Sequence, residues 1–173
     1  VLAVVKEKLA IPVIEKKKRV YYASPRGLFS TTSGNMLQDE ILTRAGLINV
    51  SHDLSGYFQE VSPEQLIRWG PDVMVFSQSL DSRLVERLGS PVFQGMPAVA
   101  DKAVYRFPST LSPWDFPSPL SALATLWLAA KAYPDHFDQA RTMTIINQFH
   151  RDLFGQSLSD MGGELADNIW DRQ

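Results

Sequence analysis

The sequence predicts an α/β protein: one three-layer αβα lobe with a mostly parallel sheet and a helical carboxyl-terminal third. Three observations carry that expectation. Strand and helix patterns alternate through about the first hundred residues. Val73-Met74-Val75-Phe76 is an unbroken apolar run, the pattern of a parallel strand covered on both faces. From LSALATLWLAAKAY onward the apolar spacing is helical.

The opening segment VLAVVKEKLAIPVIEKKKRV reads as a short amphipathic helix over about residues 1 to 10, halted by Pro12, then a strand at Arg19 to Ala23. SPRGLFSTTSGN, rich in Ser, Thr and Gly, is a loop that leads into a helix from about Asn35 to Arg44, ended by Gly46. Leu47 to Val50 is a short strand, and SHDLSGYF a surface loop carrying two aromatics. In EVSPEQLIRWGPDVMVFS, Ser62 is a good N-cap, Pro63 takes the first helical position and Gly70 closes the helix. Pro71 and Asp72 then turn the chain into the strand at Val73, which delivers Ser77, Gln78 and Ser79 to the carboxyl edge of the sheet, where open α/β folds place ligands. DSRLVERLG reads as a helix from Asp81 stopped by Gly89, PVFQ as a short strand, and Ala103 to Phe107 as the last strand. Helices are expected at about 119 to 133, 139 to 153 and 160 to 170. Loops 24–34, 51–60, 77–81 and 108–118 would gather at the carboxyl edge, sharing aromatic and hydroxyl side chains.

Composition narrows the function. A chain of 173 residues, 45% hydrophobic, suffices for one domain with a sizeable core. Seventeen Lys+Arg against 19 Asp+Glu give a net charge of -2, so no nucleic-acid partner is called for. The absence of cysteine removes disulfides and thiolate chemistry. His52, His136 and His150 lie far apart without ligand spacing, and no carboxylate cluster reads as a cage, so neither a metal site nor a cofactor is expected within the chain. No apolar run approaches the roughly 20 residues of a membrane span, and no signal-peptide pattern opens the sequence; its abrupt start reads as that of a mature or truncated chain.

No nucleophile elbow, Walker loop or glycine-rich dinucleotide turn is present, and a Ser77/His52/Asp53 triad has no local support. Binding is better supplied. Arg26, in a loop facing the ligand edge, suits an anionic ligand or a chelate's carboxylates, against the alternative of a solvated loop arginine. Tyr57, Phe58 and Trp114 are aromatics on loops rather than on periodic faces; the four prolines of PSTLSPWDFPSP would display Trp114 and Asp115. Trp114 reads as a pocket wall, Phe58 as pocket wall or loop packing, and Asp115 as a ligand acceptor or turn cap. Trp69 and Trp127 belong to apolar helix faces. Glu64, at the second helical position of SPEQ, favours the helix dipole and points to solvent.

In order, KKRVYYAS, TSGNMLQDEILTRAGLINV, EVSPEQLIRWGPDVMVFSQ, MPAVADKAVYRFP and WDFPSPLSALATLWLAAKAYPDHF resemble the carboxyl-terminal lobe of ABC-importer substrate-binding proteins for iron-siderophores, haem, cobalamin and related metal compounds. The likeness spans about residues 18 to 155. It implies a bilobal protein, two α/β lobes joined by a rigid helix, with ligand held between them. It divides the chain into 1–17, the tail of an inter-lobe helix and linker, and 18–173, the carboxyl-terminal ligand-binding lobe. It assigns ligand contacts to the loops of Arg26, Tyr57, Phe58, Trp114 and Asp115, and permease docking to Glu64. The implied cargo is an iron-siderophore or related metal chelate, the implied partners an inner-membrane ABC permease and the missing amino-terminal lobe, and the implied place the periplasm or a lipid anchor at the cell surface. Two features depart from the pattern: the amino-terminal lobe is missing, and Leu120 follows PSP where many relatives carry arginine. The rival readings are a doubly wound enzyme using a nucleotide or phosphosugar, and a lobe fragment that binds nothing.

Overall fold

The structure, a computed structural model, describes residues 16–78, 83–163, 165 and 168–169. The expected helix over residues 1 to 10, nearly all of segment 1–17, and Ser79 of the edge loop lie outside the described residues.

Four strands form a parallel sheet: β1 (Arg19–Ala23), β3 (Ile48–Asn49), β5 (Val73–Phe76) and β6 (Val104–Arg106), in the spatial order β3-β1-β5-β6. A two-stranded antiparallel ribbon, β2 (Ser30–Thr31) with β4 (Gln59–Glu60), was not legible in the loop sequences. The helices are α1 (Leu37–Arg44), α2 (Pro63–Trp69), α3 (Leu84–Leu88), α4 (Pro97–Ala100), α5 (Ser121–Ala132) and α6 (Gln139–Phe154). This is the expected three-layer α/β lobe.

Two-residue periodicity in the central strands splits the core into two layers. Val20, Tyr22, Val73 and Val75 face Ile41 and Leu42 of α1 and the near-continuous apolar wall of α5, from Leu123 to Ala132. Tyr21, Ala23, Met74 and Phe76 face the other way, onto Leu66 of α2, Leu88 of α3 and Ala98 of α4. Every residue of β5 is buried, which explains its lack of polar alternation. The capping signals read in α2 are realised: Ser62 Oγ accepts from the Gln65 amide at 3.1 Å, and Gly70 ends the helix at φ 50° and ψ 59°, a left-handed conformation that favours glycine.

Two expectations fail. PVFQ forms consecutive turns rather than a strand, since Pro91 and Gly95 bracket it and Phe93 N bonds back to Ser90 O. The segment expected as a helix over 160 to 170 is turn at 160–162, where Gly162 adopts φ 69°, and Asn168 makes an antiparallel bridge to Tyr105 on the outer strand β6.

Candidate functional site

The carboxyl ends of β1, β5 and β6 open onto Ser24, Ser77 and Phe107, and the loops beyond them form one edge of the lobe. Two of these loops are fastened to each other. The β2–β4 ribbon pairs Ser30 with Glu60 and Thr31 with Gln59. Past it, Ser33 Oγ donates to Gly56 O at 2.5 Å, Gly34 N donates to Leu54 O at 3.2 Å, and Ser51 Oγ donates to Thr32 O at 2.8 Å. Tyr21 OH donates to Leu28 O at 2.6 Å and holds the base of the first loop. Tyr57, 82% exposed, stands at the tip of this fastened pair. An exposed ring on a fixed backbone loses little entropy on contact with a ligand.

Three of the sequence-predicted residues join one column. The guanidinium carbon of Arg26 lies 5.6 Å from the centroid of the Phe58 ring, and Phe58 stacks on Tyr22 with centroids 6.4 Å apart and planes 24° apart. Tyr22 OH in turn donates to Asp115 Oδ2 at 2.8 Å. Gln38 Nε2 donates to the Asp115 backbone carbonyl at 2.8 Å. The column therefore runs from an exposed cation, through two rings, to a buried carboxylate. Tyr22 was missed because RVYYA reads as core strand; it is core, and only its hydroxyl reaches the edge.

The expected display of Trp114 and Asp115 is corrected: both are 0% exposed. Prolines stiffen the loop but do not set the direction of its side chains. The loop closes on itself, with Ser109 bridged to Pro113 and Trp114 N bonded to Pro108 O at 3.1 Å, and so turns the indole inward. Trp114 Nε1 donates to Thr110 Oγ1 at 3.3 Å, and the ring packs 5.9 Å from His150 of α6. Leu120 is likewise buried at the head of α5.

Asp115 is a buried acid, held by the Tyr22 hydroxyl. Burial pushes its carboxyl above the ordinary value of 3.8, opposed by Ser77, Tyr22 and its own amide. The Ser77 hydroxyl sits beside the carboxylate, yet neither Ser77 Oγ nor Asp115 Oδ1 completes a hydrogen bond. Burial, and then the Asp115 charge, push the Tyr22 hydroxyl far above its usual range, so it stays protonated and donates. An acid whose pKa is raised by folding contributes fully to stability below its unfolded value of about 4 and loses that contribution as pH rises through the folded value. Asp115→Asn keeps an acceptor for Tyr22 and adds a donor for Ser77. It should therefore gain stability over the native protein as pH rises from about 4 to neutrality, by about 1 kcal/mol, the net worth of one hydrogen bond. Chemical denaturation at pH 4 and pH 7 checks this; a loss at pH 7 would show that the carboxylate is needed in ionised form.

On the other flank, Asp39 of α1, its side chain 7% exposed, accepts from Asn49 Nδ2 at 2.7 Å and lies 3.0 Å from Nδ1 of the exposed His52. Glu64 is exposed on the first turn of α2. Its own backbone amide, then the Ser62 hydroxyl, hold its carboxyl below the usual range, so it is an anion at neutral pH.

Among the described residues no group of three or more His, Asp or Glu is placed to hold a metal, and no helix is long and apolar enough to cross a membrane. The lobe is thus a parallel α/β unit whose fastened edge carries aromatic, cationic and hydroxyl side chains. The chain belongs to the periplasmic binding protein family, whose pattern matches residues 3–111 and whose members bind solutes rather than transform them. It is 25% identical over 144 residues to the molybdate-binding protein MolA of Haemophilus influenzae, covering 83% of this chain and 40% of that protein. Among solved structures it resembles an ABC transporter solute binding protein from Sulfurospirillum deleyianum, with TM-score 0.78 and 26% identity over 92% of this chain and 50% of that one. Helicobacter pylori CeuE with Ni(II) bound shares the fold, with TM-score 0.78 and 20% identity over 93% of this chain and 51% of that one. The chain thus spans about half the length of these relatives.

Proposed function

We propose that this chain is the carboxyl-terminal lobe of the solute-binding component of an ABC importer, periplasmic or lipid-anchored at the cell surface, and that it delivers an iron-siderophore or related metal chelate to a permease. The observation that supports this reading most directly is the Arg26–Phe58–Tyr22 column at the carboxyl edge. Arg26 would pair with ligand oxygens while Phe58 and Tyr57 pack on the ligand's flat faces. The amino-terminal lobe, reached through residues 1–17, would supply the opposite wall. Trp114 and Asp115 would act from behind, supporting the loop and Tyr22. Glu64, ionised and exposed on α2, would meet a cationic site on the permease.

Two variants of the full-length protein test both halves of this reading. Tryptophan fluorescence is titrated with ferric siderophores, haem, cobalamin and molybdate, and uptake is measured with the reconstituted permease. Arg26→Ala should weaken binding of the recognised compound about tenfold or more, the worth of a charged hydrogen bond. Glu64→Ala should leave that affinity intact and lower uptake. Silence across the whole panel overturns the chelate reading, and unaltered uptake by Glu64→Ala removes the docking role.

A further inference from the structure

The described residues hold no self-sufficient metal cage, yet one side chain at the ligand edge is oriented as metal ligands are. His52 follows β3 at the carboxyl edge, on the loop fastened to Ser33 and Gly34. Its Nδ1 faces both carboxylate oxygens of Asp39, at 3.0 and 3.1 Å. Asp39 cannot swing away. Its side chain is 7% exposed, and Asn49 Nδ2 grips the same Oδ1 at 2.7 Å while Asn49 Oδ1 accepts from Ser51 N at 3.1 Å. An acceptor fixed at Nδ1 makes that nitrogen the donor in the neutral ring, and so places the lone pair on Nε2. The side chain of His52 is 59% exposed, and Nε2 has no hydrogen-bond partner among the described residues. A carboxylate behind one ring nitrogen with the other presented outward is the arrangement that orients and strengthens metal-binding imidazoles.

Taking the carboxyl edge as the cargo face, as proposed above, we infer that His52 Nε2 is a coordination site for a first-row transition-metal ion that arrives in a small chelator with open positions, Asp39 being the residue that positions the ring. The donor set fixes the class. One imidazole does not hold a bare ion, since three or more protein ligands are the rule for such sites. It does complete the sphere of an ion whose other donors come with the chelator, and a neutral imidazole selects nickel, copper, zinc or iron over magnesium or calcium. The exposed Asp53 carboxylate adds to the negative field around His52 and favours a cationic metal centre there.

The 173-residue chain itself serves for the test, with nickel–nitrilotriacetate, a chelate that leaves two coordination positions open, as the probe. Imidazole proton and backbone amide signals are followed by NMR at one pH common to all variants. The ring signals of His52 should broaden at lower probe concentration than those of His136. His52→Gln should raise the probe concentration at which the backbone amide signals of Asp53 and Gly34 broaden, without changing the thermal midpoint. Asp39→Asn should raise the probe concentration required by about 10–100-fold, the usual cost of losing such a supporting carboxylate. Equal broadening of His52 and His136, or an Asp39→Asn chain that responds like the native one, would overturn the inference. Should Asp39→Asn fail to fold, the comparison of His52 with His136 and with His52→Gln still decides. The proposed importer role and this site fail separately, because the probe needs neither the natural cargo nor the permease.

Discussion

Trp114→Ala is expected to lower stability by about 3–5 kcal/mol, the range for removing a fully buried large aromatic side chain. The ring is 0% exposed and lies within the same cluster as Tyr22, Phe107 and Trp127. Truncation would open a cavity between loop 108–118 and α6, strip Thr110 of the indole donor, and leave His150 with Phe154 as its one remaining ring contact among the described residues. At about 2–4 °C per kcal/mol for a chain of this size, the thermal midpoint should fall by roughly 6–20 °C. Tyr57→Ala is the matched control: its ring is 82% exposed, so its stability should change by less than about 0.5 kcal/mol. Urea denaturation of both variants decides the role of Trp114. A stability loss confined to Trp114→Ala places that ring in the core, whereas an unchanged midpoint with weakened ligand binding would return it to the ligand face, as the loop sequence suggests.

The contrast between these two aromatics shows where sequence reading succeeds and where it stops. The parallel sheet and its central strands were legible because the strands are apolar on both faces and capped helices lie between them, as at Ser62, Pro63 and Gly70. Such signals are local in the chain. The direction of a loop side chain is not: Tyr57 and Trp114 both sit in polar, turn-rich segments, and only the bridge between Ser109 and Pro113 turns one of them inward. Tyr22 escaped notice for the reverse reason, since a buried strand residue can still send its hydroxyl to the edge and meet Asp115, 93 positions along the chain. The failure over 160–170 has a different origin. Apolar spacing suggested a helix, but Gly162 and Gly163 lower helix propensity at its start, and Asn168 instead bridges Tyr105 on β6.

The fastening of the two edge loops also yields a sharp expectation at Gly34. A Cβ there would lie 2.2 Å from the carbonyl oxygen of His52 and 3.2 Å from its Nδ1, far inside van der Waals contact with a backbone atom that has no freedom to rotate away. Gly34→Ala must therefore push loops 24–34 and 51–60 apart. That movement would strain the Ser33–Gly56 and Gly34–Leu54 bonds and shift the backbone that carries Tyr57 and Phe58. Overpacking of this kind costs about 1–3 kcal/mol or more. Gly95→Ala is the control, because nothing lies within 4 Å of a Cβ at that position; its stability should stay within about 0.5 kcal/mol of the native value. In the full-length protein Gly34→Ala should also weaken ligand binding, since a contact surface displaced by an ångström no longer meets the ligand it was shaped for. Stability and affinity should fall together here, whereas Tyr57→Ala should lower affinity alone. A Gly34→Ala protein that melts like the native one would mean that the two loops are not packed on each other, and the fixed edge on which the binding role rests would go with them.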